Sequence, residues 1–102
     1  MLIKWQDVEY TLDIDRMTVA NAAVIKKHTG YTVMTLMDGI RVGDPDAMRA
    51  TYWLMQIQSG NQCDIDRVDF VILDYMQALI KGIEEEQEIA ESAPEESGPK
   101  GE

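Results

Sequence analysis

The chain has 102 residues and a formal net charge of −10, nineteen Asp and Glu standing against nine Lys and Arg. That length holds one domain, and so acidic a surface repels phosphate backbones and anionic headgroups, which argues against nucleic acid and membrane surfaces as partners and favours a basic or neutral apolar one. The lone cysteine, Cys63, excludes an intrachain disulfide, and a polar start, MLIKWQ, with no apolar run near the ~20 residues that cross a bilayer, reads as a soluble cytosolic protein.

Leu2 to Trp5 and Val8 to Leu12 are rich in branched and aromatic residues and flank Gln6-Asp7, a pattern that predicts a β-hairpin. In its second strand Val8, Tyr10 and Leu12 share one face. A hairpin alone is barely stable in water, so this one is expected to lie on the helices through Ile3, Trp5 or Tyr10. Thr18 is placed to cap a helix through Val19, Ala22, Ala23 and Ile25, with Lys26, Lys27 and His28 at its negative end and Gly30 as its stop. Thr32 then opens a shorter predicted helix containing Val33, Met34, Leu36, Met37 and Ile40, weakened near its end by Gly39.

The segment from Gly43 to Gly60 is a helix marked at both ends. Asp44 suits the N-cap, Pro45 the first helical position, Asp46 the positive end of the dipole and Gly60 the left-handed stop. Between them Met48, Tyr52, Trp53, Leu54, Met55 and Ile57 make the helix apolar on more than one face. Such a helix is either buried centrally or offers its second face to another chain. Asp64 or Asp69 is placed to cap a last helix, with Phe70, Leu73, Met76, Ile80 and Ile83 at helical spacing. Glu84, Glu85, Glu86, Glu88 and Glu91 oppose the dipole at its end, so fraying is expected beyond about Glu86. From Ser92 the composition cannot repay the entropy of ordering. The reading is a mainly α domain, residues 1–86, with an N-terminal β-hairpin, followed by a disordered acidic tail, residues 87–102.

No catalytic or cofactor motif emerges. The pairs Asp13/Asp15, Asp44/Asp46 and Asp64/Asp66 lie where caps are needed and lack the Gly and bidentate Glu of a calcium loop. One Cys and one His cannot close a zinc site, and Gly39, Gly43 and Gly60 are isolated turn or cap residues rather than a phosphate loop. The expectation is therefore a protein without enzymatic activity, cofactor or metal. What stands out is a soft apolar inventory, and adaptable binding surfaces overuse unbranched thioethers. A body of about eighty residues has little room to hide it, which points to a surface for self-association or for apolar helices. Tyr52, Trp53 and Met55 are the expected anchors, with Met34, Met37 and Met76 beside them.

The order of a hairpin with EYTLDID, a helix ending KKHTG, a short helix, then VGDPDAMRATYWLMQIQSG and IDRVDF resembles the small tail assembly chaperones of long-tailed bacteriophages over roughly residues 8 to 78. The resemblance implies a non-enzymatic factor of the host cytoplasm that is absent from the mature virion. Such proteins coat the helical tape measure protein, keep it soluble and help bring tail tube subunits to it. The family often makes a second, longer product by programmed frameshifting, and Gly98-Pro99-Lys100-Gly101 can be encoded by a slippery run such as GGC-CCA-AAG-G. Two other roles fit the composition: a permanent virion component of the head-to-tail connector type, and an acidic antitoxin or inhibitor acting by charge mimicry.

Overall fold

The computed structural model describes residues 1–92, and side chains through residue 88. It is mainly helical, with a two-stranded antiparallel hairpin at the N-terminus. Strands β1 (Leu2–Trp5) and β2 (Val8–Thr11) pair Ile3 with Tyr10 and Trp5 with Val8. Gln6 and Asp7 both take positive φ, the combination that matches the twist of a two-residue hairpin. Ile3 and Trp5 point into the core and Tyr10 packs at its edge, while Val8 stays exposed. The hairpin is tied down at its exit: the Gln58 side chain accepts from the Asp13 amide at 2.7 Å and donates to the Asp13 carbonyl at 2.8 Å.

Helix α1 (Val19–Thr29) has the predicted Thr18 cap, completed as a capping box by Asn21, and ends at Gly30 with φ +81°. Helix α2 (Leu36–Arg41) is shorter than predicted. The Thr32 and Thr35 hydroxyls bond each other and each other's backbone, holding Val33 and Met34 in a turn ahead of the helix, because short hydroxylated side chains compete for the amides a helix would use. Gly39 is no terminal weakness. It is buried, and a Cβ there would stand 2.7 Å from Ala47 Cβ and from the Tyr31 ring, so its bareness lets α2 press against its neighbour.

Helix α3 (Pro45–Gln58) begins with the predicted cap, Asp44 accepting from the amides of Asp46 and Ala47. It runs through the middle of the molecule, packed against α1, α2, β2 and helix α4 (Ile72–Ser92). Asp64 caps a 3-10 turn, Ile65–Arg67, rather than α4, and Phe70 lies ahead of α4 in an aromatic cluster with Trp5, Tyr52 and Tyr75. α4 continues six residues past Glu86, through the expected domain boundary. Glu, Gln and Ala are good helix formers, and the Met1 amino group sits 3.3 Å from the Glu86 carboxylate. The rest of the predicted tail, 93–102, lies outside the described residues.

The tetrapeptide Asp-Ile-Asp-Arg occurs twice and folds the same way twice, as 3-10 turns at Ile14–Arg16 and Ile65–Arg67. In each the first Asp accepts from the amide of the second, at 3.2 Å and 3.0 Å. Capping is thus what these acidic pairs do, as their positions imply.

Candidate partner-binding groove

The six predicted partner-binding residues separate into four groups. Trp53 and Met55 are core residues. Trp53 is 6 % exposed and its indole N–H donates to the Cys63 carbonyl at 3.0 Å, while Met55 is fully buried. A helix apolar on both sides has two possible fates, and central burial is the one realised: neighbours on every side cover α3, so neither residue reaches a partner. Tyr52 is part-buried within the aromatic cluster, 5.1 Å from Phe70 and 5.6 Å from Tyr75 between ring centroids. Met34 is 82 % exposed on the turn before α2 and lies outside the groove.

Met37 and Met76 do come together. They face each other across a groove of about 380 Å³ between α2 and α4, with Met48 and Leu79 as its floor. Ile40 extends the α2 wall, and Ile80 and Ile83 extend the α4 wall. The groove exists because α4 carries two apolar stripes. Tyr75, Leu79 and Gly82 form the inner one; a Cβ at Gly82 would stand 2.6 Å from Ile3 Cδ1 and 2.8 Å from the Leu2 carbonyl, so β1 lies directly on it. Leu73, Met76, Ile80 and Ile83 form the outer one at alternating spacings of three and four, the signature of a helix-packing seam. Leu73 is 67 % exposed and Ile80 49 %. The sequence shows these residues as a stripe but not which way it faces. Tyr75 takes the interior because its hydroxyl finds Thr51 Oγ1 at 3.0 Å, and Thr51 donates onward to the Met48 carbonyl at 2.9 Å.

The chain matches no known protein family, curated protein or solved structure.

Polar groups elsewhere in the molecule have structural duties. Burial pushes the Tyr75 phenol well above its usual range, so it stays a neutral bridge between α4 and α3. Asp44 is held below the usual carboxylate range by the Tyr31 phenol and by the amides it caps. Tyr31 in turn is raised by desolvation and by that carboxylate. The Cys63 thiol is pushed up by burial and by the neighbouring Asp64, which keeps it protonated and a weak nucleophile at neutral pH. His28 bonds Asp66 at 2.9 Å, joining α1 to the second Asp-Ile-Asp-Arg turn. Among the described residues no cluster of three His, Cys, Asp or Glu side chains is arranged around a common point, and no helix is long and apolar enough to cross a membrane.

Proposed function

We propose that this protein is a tail assembly chaperone of a long-tailed bacteriophage, which shelters apolar helical segments of the tape measure protein in the α2–α4 groove and helps recruit tail tube subunits to them. One observation carries the reading: a body whose indoles and central helix are sealed still presents an open, seam-spaced stripe on α4. Fully burying a large aliphatic side chain contributes about 1.5–3 kcal/mol. Since these side chains are already part-covered, a helix laid over the stripe gains a few kcal/mol before the cost of association, which suits a client that must be released. Methionines on both walls adapt to successive, non-identical client segments. With the core sealed, a second copy is not needed to cover α3, and the α2–α4 groove offers an apolar cleft open to solvent. In this role the protein works in the host cytoplasm and leaves before the virion is complete.

The test is co-expression with a tape measure protein. The wild-type chain keeps the client in the soluble fraction, Ile80→Asp does not, and mass spectrometry of purified particles finds no copies of the chain. A client that stays soluble beside the Ile80→Asp chain defeats the groove assignment, and stoichiometric copies in the particle would instead make the protein a virion component.

A further inference from the structure

The stripe on α4 has an electrically one-sided border. Helical spacing sets Glu84 and Glu88 at four and eight residues after Ile80, on the solvent side of the stripe, and both are exposed. Across the groove the cation on the rim, Arg41, is paired with Asp38. From Ile72 to Ser92 the helix carries six carboxylates and one Lys, and its C-terminal dipole adds negative potential at the same end.

Three occupants are conceivable, and two fail. Residues 93–102, APEESGPKGE, contain no apolar side chain larger than Pro and add net negative charge, so they cannot fill an acidic-rimmed apolar groove. A second copy laid parallel across a twofold axis would set the same carboxylates against one another, and one laid antiparallel would offer them residues 72–80 of its α4, which carry Asp74 and no Lys or Arg. We infer that the groove selects an amphipathic helix from another protein whose apolar stripe is flanked by Lys or Arg, with Glu84 and Glu88 reading the cations. At about 1.5 Å per residue the stripe from Leu73 to Gln87 is roughly 21 Å long, which accommodates about four turns of such a helix. This selectivity rests on the reading of the groove as the client site.

The experiment uses the full chain and three synthetic amphipathic peptides that share one apolar stripe and differ only in flanking Lys, Gln or Glu, followed by fluorescence anisotropy. The expected order is Lys, then Gln, then Glu, with about tenfold between the extremes at low salt and a narrower span at high salt. Combining Glu84→Lys with Glu88→Lys inverts that order without changing helix content by circular dichroism. Equal affinities for the three peptides, or an order unmoved in the double variant, overturn the charge selection while the groove stands, so long as Ile80→Asp abolishes binding. Binding that survives Ile80→Asp, or no binding by any peptide, overturns the groove reading and this inference together. A dimer in sedimentation velocity that Ile80→Asp dissolves would make a second copy the occupant and overturn the inference.

Discussion

Helices α3 and α4 carry similar apolar loads on two faces, yet among the described residues only α3 has both faces covered. α3 lies between elements that precede and follow it in the chain, so Met48, Trp53, Leu54 and Met55 are all enclosed. α4 is the last element described, and the hairpin and α3 cover only its Tyr75–Leu79–Gly82 side. Whether a large apolar side chain stays open to solvent here is therefore set by its place in the packing order, not by its size or number. Trp53, the most conspicuous residue of the chain, is structural, and the less conspicuous Ile80 stands at the surface.

This contrast is open to direct attack. Trp53→Ala is the largest expected effect: loss of the indole and its bond to the Cys63 carbonyl costs about 3–5 kcal/mol in urea unfolding, enough to threaten folding in so small a domain. Gly82→Ala probes the closed side of α4. Its new methyl would meet the fixed Leu2 carbonyl, and the overpacking, partly offset by better helix propensity, is expected to cost about 1–3 kcal/mol by the same measurement. At the head of α3, Asp44→Ala should cost about 1 kcal/mol through loss of the cap.

Asp44 also predicts a pH dependence. Because its folded pKa is depressed, its ionised form adds stability that is fully present above the unfolded value of about 3.9 and is lost as pH falls through the lower folded value. Asp44→Asn keeps a capping oxygen but cannot titrate. The stability difference between wild type and this variant, followed by thermal unfolding from pH 6 to pH 2.5, should shrink below about pH 4. Smallest of all, Ile80→Asp on the open stripe should leave stability within about 0.5 kcal/mol of wild type. A cost near that of Gly82→Ala would mean that the stripe is part of the core and that the two helices do not differ.

Much of the fold is legible in the amino-acid sequence, because caps and turns act within a few residues. Thr18, Gly30, Asp44, Pro45 and Gly60 mark their helix ends where expected, and both Asp-Ile-Asp-Arg segments close the same local hydrogen bonds. The candidate site is less legible. Side-chain type singles out Met37 and Met76, which line the groove, together with Trp53 and Met55, which are core, and leaves Ile40, Ile80 and Ile83 as helix residues without a binding role. Spacing alone cannot tell an inner stripe from an outer one when a helix carries two.

By itself the sequence determined the helical class, the hairpin, the boundaries set by side chains that satisfy nearby amides, and the net charge of −10. Only the tertiary structure decided which apolar faces are sealed. The two Asp-Ile-Asp-Arg turns show why: identical in sequence and local shape, they leave Ile14 half-buried and Ile65 buried, since burial depends on what the rest of the chain brings alongside.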